Sequence, residues 1–185
     1  MGGRDPGHAE HSQLRYISYS MAYSTKTIFG RRALNLASAD DYVDWAIEML
    51  VQGFNSFNLR VLAGLTRGSS LFEVADYFLR SIKELNIVEP DRDRAIRGYA
   101  SEIAQQIVDD QLPAHVAVNM LYRICIATDY DADLMRWCEL DEALDSLKYG
   151  NYPYAFPEAT LDNFDALVKR EAASFILEVQ TLFAE

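Results

Sequence analysis

The sequence predicts an all-α fold, a single domain of about seven helices in antiparallel hairpins, arranged as a bundle or a short stack of helical pairs. Three observations predict it. Apolar residues recur at three- and four-residue spacing through most of the chain. No alternating strand pattern persists beyond a few residues. The breaks between periodic stretches are short and carry Gly, Pro or a capping residue. At 185 residues, 50% hydrophobic and 12% aromatic, the chain is long enough to bury a substantial core. We assign residues 21–185 to the domain. Residues 1–20, with their glycines, His8, His11 and Pro6, read as a flexible N-terminal extension or a fusion scar. The HAEH spacing there is taken as incidental.

Lys26, Arg31 and Arg32 lie beside Phe29, Leu34 and Leu36, and this segment is expected to pack as a short helix or strand, with Gly30 counting against both. The stretch that organises the rest runs from Ser38 to Leu65. Ser38 is placed to cap a helix and Asp41 sits at the third helical position of a capping box, although Asp reaches back less well than Glu. Asp40, Asp41 and Asp44 suit the positive end of the helix dipole. Val43, Ala46, Ile47 and Leu50 share one face, which Tyr42, Trp45 and Met49 broaden. Gly53 ends this helix, and Asn55 or Ser56 begins the next, so the two form a hairpin. Asp44 and Glu48 read as part of a solvated acidic face rather than a metal or acid–base pair, because no ligand-type His accompanies them.

Ser70 and Glu73 form a capping box ahead of a helix reaching about Leu85, buried through Leu71, Val74, Ala75, Phe78, Ile82 and Leu85, with Phe72 and Leu79 at its edges. Asp91 caps a helix from about Arg92 to Gln111, and Asp91 and Asp93 are expected to pair with Arg92, Arg94 and Arg97. Pro113 opens the next helix at its first position. Apolar residues surround most of that helix, which makes it the expected central element. One edge carries His115, Asn119 and Arg123 every four positions, with Tyr122 beside it. This polar row is the candidate ligand-binding or general-base site, set against a reading of His115 as a satisfied surface residue.

Asp129, Asp131 and Asp133 alternate as at the start of a calcium-binding loop. The match fails at Leu134, where Gly is needed, and at Leu140, where a bidentate Glu is needed. Asp131 is therefore read as a helix cap. The following helix turns Leu134, Trp137, Leu140, Leu144 and Leu147 inward and Glu139, Asp141, Glu142 and Asp145 outward. Next come Tyr149, Tyr152, Tyr154 and Phe156, interleaved with Gly150, Pro153 and Pro157. Tyrosine offers large contact area and a polar tip with little rotamer entropy, and proline lowers the cost of ordering a loop. The segment is either a recognition loop or a cover for the core. A last helix, capped near Thr160, repeats Leu161, Phe164, Val168, Ala172, Phe175, Val179 and Leu182. That seam serves either a homodimer or the chain's own core, and its bulky Phe residues favour the core.

The net charge of −11 is uneven: residues 101–185 hold sixteen Asp/Glu against five Lys/Arg. Such a surface repels phosphate backbones, which argues against general nucleic-acid binding, and it suits a basic protein partner. Its other reading is plain solubility. No apolar run reaches the roughly eighteen residues of a membrane span, and the N-terminus lacks a secretory core. Cys125 and Cys138, on separate helices, do not amount to a disulfide framework, so a reducing cytoplasm is expected. Phosphate-loop, dinucleotide, nucleophile-elbow, zinc-protease and C-x-x-C motifs are all missing. The expectation is a non-catalytic, cofactor-free and metal-free protein-binding module, in its sharpest form an acidic inhibitor or immunity-type protein. The partner-binding residues are Tyr149, Tyr152, Tyr154, Phe156, Asp141, Glu142 and Asp145. The alternatives are a ligand binder or enzyme using His115, Asn119, Tyr122 and Arg123, and a structural homodimer.

Overall fold

Capping chemistry sets most of the helix starts. Ser24 accepts from the Thr27 amide at 3.1 Å, Ser56 from the Leu59 amide at 3.3 Å and Asp91 from the Arg94 amide at 2.8 Å. At Ser38 both halves of the capping box form: the Asp41 amide donates to Ser38 Oγ at 3.3 Å, and the Ser38 amide donates to Asp41 Oδ2 at 2.7 Å. Ser70 departs from expectation. It occupies the cap position without a side-chain bond, because its ψ of 130° differs from the 159–167° at the four working caps.

The computed structural model describes residues 23–184, and the expectations for residues 1–20 lie outside them. Among the described residues eight helices follow one another: α1 (Thr25–Ala33), α2 (Ala39–Val51), α3 (Phe57–Ala63), α4 (Leu71–Glu84), α5 (Arg92–Val108), α6 (Ala114–Ala127), α7 (Met135–Lys148, entered through a 3-10 turn at Ala132–Leu134) and α8 (Phe164–Ala184). Among the described residues there is no strand, so the all-α class holds. The segment around Gly30 is a helix. Pro113 stands at the cap of α6 rather than inside it. Thr160 and Asn163 cap one another across a turn, with Thr160 N to Asn163 Oδ1 at 2.8 Å and Asn163 N to Thr160 Oγ1 at 3.2 Å, which delays α8 to Phe164.

The helices enclose two adjoining apolar clusters. In the first, the Phe78 ring meets Trp45, Tyr42 and Phe29 at centroid distances of 4.8, 5.1 and 5.8 Å. This aromatic centre decides which face of α2 is buried. Tyr42, Trp45, Ala46 and Met49 point inward, while Ile47, expected inside, is 45% exposed. On α4 the buried set narrows to Val74, Phe78 and Ile82, with Leu71 exposed. The second cluster is built by α5 to α8 around Trp137 and Phe175, an edge-to-face pair 5.5 Å apart. The α8 seam from Phe164 to Val179 is spent on this core, leaving Leu161 and Leu182 exposed beside it.

The central helix is α5 rather than α6. Ala95 belongs to the first cluster and Ile96 to Ile107 line the second. Its inward residues include Ala95, Gly98, Ala100, Ser101 and Ala104, whose small size lets neighbours approach. Gly30 of α1 uses that room. A Cβ added there would fall 2.1 Å from Tyr99 Cβ, so only glycine permits this crossing.

Candidate functional site

The outward side of α7 and the strap that follows it form the candidate recognition surface. Asp141, Asp145 and Tyr149 succeed one another every four residues and so share one edge, with Glu142 exposed beside them. Helix α7 ends at Lys148, which donates to Asp145 Oδ1 at 3.2 Å. The chain turns at Gly150, where φ is +72°. The strap then divides its side chains. Pro153 and Ala159 are buried and Phe156 packs partly against the second cluster. Tyr149, Tyr152 and Tyr154 are 81%, 75% and 96% exposed. The two readings of the loop therefore fall to different residues: Phe156 covers core, and the three tyrosines face solvent.

The polar row of α6 lies against this acidic edge. Asn119 and Arg123 both favour the charged form of the Asp141 carboxyl. Burial and then repulsion from Asp145 outweigh these, and Asp141 is held above the ordinary carboxylate range. Burial and the same Asp141 charge push the Tyr122 phenol up. Asn119, Tyr122 and Arg123 thus adjoin the acidic set; His115 stands one turn before Asn119 and, like Asn119 and Arg123, is exposed. Four concavities of the described residues are lined by other residues. The most apolar of them, about 250 Å³, is floored by Phe29, Ile87, Val88 and Pro90 on the far half of the fold.

No family model matches the chain, and comparison with curated proteins and with solved structures returns no match. The site is therefore read from its own chemistry.

The remaining charged clusters are accounted for internally. Asp41 is 2% exposed and accepts from Tyr23 Oη at 2.7 Å, from Arg31 Nε and Nη2 at 3.1 and 3.0 Å, and from the Ser38 amide. Burial works against the Arg31 charge, but Asp41 and Tyr99 outweigh it and lift Arg31 above its ordinary value. This is a saturated structural hub joining α1 to the start of α2. Asp44 pairs with Arg67 at 3.2 Å rather than with Glu48. Arg97 leaves the local pairing expected of it and reaches Asp131 and Asp133 at 3.3 and 2.9 Å, tying the acidic turn before α7 to α5. Among the described residues no group of three or more His, Cys, Asp or Glu is arranged to hold a metal. What the sequence reading missed is apolar: Val51, Phe57 and Phe72 stand out into solvent, Phe72 at 86%. Periodicity assigned Phe72 to a helix edge, and only the choice of buried face separates an edge from a fully exposed position.

Proposed function

We propose that this chain is a non-catalytic protein-binding module whose recognition surface is the tyrosine strap together with the acidic edge of α7. The observation that carries the reading is the division within the strap. Pro153 and Phe156 anchor it while Tyr149, Tyr152 and Tyr154 stand exposed, at a cost that a soluble surface has no need to bear. Three carboxylates adjoin them, and burial and Asp145 disfavour the charge of Asp141. A basic partner supplies the missing counter-charge, speeds its own docking through steering, and covers the aromatic rings. An inhibitor or immunity-type protein of the cytoplasm is the form of this reading that uses every part of the surface. The helix that could have served a homodimer places its seam in its own core, which removes the main support for that alternative.

Affinity capture tests the proposal. The full chain, its Tyr149/Tyr152/Tyr154→Ser variant and its D141N/E142Q/D145N variant serve as baits in extract of the source cells, at low and high salt. The reading expects a stoichiometric basic protein on the wild type, lost from the tyrosine variant and weakened both by charge neutralisation and by salt. A partner retained equally by all three baits would place recognition elsewhere on the molecule.

A further inference from the structure

The two cysteines are far closer in space than their spacing in sequence suggests. Cys125 sits on the inner side of α6, with no solvent exposure, and Cys138 faces it from the first turn of α7, half-buried. The Cys138 thiol donates to Cys125 Sγ at 2.6 Å, and both are free thiols. That separation is inside ordinary non-bonded contact and within reach of the bonded length of about 2.04 Å. The approach is held by the packing of α6 on α7 and by the tie of Arg97 to the turn between them. The two sulfurs also differ in a way that orders a reaction. Cys138 meets solvent, whereas Cys125 does not.

We propose that Cys125 and Cys138 form a reversible dithiol–disulfide site whose oxidising substrate is a low-molecular-weight disulfide, RSSR. Cys138 Sγ, as thiolate, attacks one sulfur of RSSR, forming a mixed disulfide and expelling RS⁻. Cys125 Sγ then attacks the Cys138 sulfur as its proton passes to the departing RS sulfur. The Cys125–Cys138 bond forms, the mixed disulfide breaks, and the second RS group leaves as RSH. Two protein thiols are oxidised and one RSSR is reduced to two RSH; excess RSH reverses both steps. Burial, and then the hydrogen bond with Cys138, push the Cys125 thiol up to about 12. Cys125 therefore stays protonated until the mixed disulfide forms beside it, and it does not compete for RSSR. The bond would pin the last turn of α6 to the start of α7, one helical turn from Asp141. The site does not depend on the partner-binding reading.

Intact mass spectrometry of the reduced full chain, incubated with oxidised glutathione and then alkylated, tests this directly. The expected product is two hydrogens lighter, carries no glutathione and has lost both alkylatable thiols. Trypsin cuts at Arg123, Arg136 and Lys148. A non-reducing digest should therefore join residues 124–136 to 137–148, and added reduced glutathione should separate them. C125S should stop at one glutathione on Cys138, and C138S should remain unmodified while folded. A wild-type chain that keeps both thiols, accumulates a stable glutathione adduct or cross-links between molecules overturns the proposal.

Discussion

Replacing Gly30 by alanine probes the contact that joins the two halves of the fold. The new Cβ would lie 2.1 Å from Tyr99 Cβ, 2.8 Å from Tyr99 Cγ and 2.9 Å from the Ala95 carbonyl oxygen. Non-bonded carbons rest at about 3.5–4.0 Å, so α1 and α5 must part by about 1.4 Å or more. Neither obstacle can swing aside. Tyr99 Cβ is fixed by the α5 backbone, and the Ala95 oxygen is itself backbone. Overpacking typically costs ~1–3 kcal/mol, and a clash against fixed atoms belongs at the upper end. Alanine's better helix propensity returns up to ~1 kcal/mol. The expected net loss is about 2 kcal/mol, a fall in Tm of about 4–8 °C for a chain of this length. Gly98→Ala supplies the control on the same interface. Its Cβ would meet only the Lys26 side chain, at 3.7 Å, so the propensity gain of ~0.5–1 kcal/mol should appear unopposed. Urea and thermal unfolding followed by circular dichroism measure both. A Gly30→Ala protein as stable as wild type would refute the close crossing, and equal losses at both glycines would refute the packing argument that separates them.

Other consequences are open to the same assays. Asp41→Ala should cost ~3–5 kcal/mol, because it leaves the Arg31 guanidinium without its buried acceptor and opens the α2 cap; a urea midpoint near wild type would contradict the hub. Asp141→Asn should raise Tm at neutral pH. The folded carboxyl is held above its unfolded value by burial and by Asp145, so the stability of the protonated form is lost as pH rises through the carboxylate range. The advantage of the variant should close below about pH 4, and a pH-independent difference would contradict it. Ser56→Ala should lose about 1 kcal/mol and Ser70→Ala much less, since only Ser56 makes a side-chain cap bond; equal losses in urea would count against the cap geometry.

Much of this architecture was legible in the residues themselves. The starts at Ser38, Ser56 and Asp91 follow from one hydroxyl or carboxylate serving an orphan amide, a local interaction that needs no knowledge of the fold. The central helix was not legible. A reading that looks for bulk chose α6, with its Val, Leu and Ile, whereas α5 lies deepest because Ala95, Gly98, Ala100 and Ala104 take up so little room. The orientation of α2 was half legible: Ile47 and Trp45 both belong to apolar stripes, and the ring of Phe78 from another helix selects between them. At the candidate site, the run of tyrosines announced a recognition loop or a core cover. Which ring does which depends on Pro153 and Phe156 folding inward, a long-range contact that periodicity does not encode. The meeting of Cys125 with Cys138 likewise needs the register of α6 on α7.

Tyrosine footprinting tests the claim about the strap most directly. The tagged full chain is nitrated in buffer and in concentrated extract of its source cells, and modification is read by peptide mass spectrometry. Tyr130 is the internal control, since it is exposed at the opposite end of α7, whose fourteen residues span about 21 Å. The account predicts that Tyr149, Tyr152 and Tyr154 react in buffer and are protected in extract, while Tyr130 reacts equally in both. Equal nitration of the strap tyrosines in buffer and extract would contradict it.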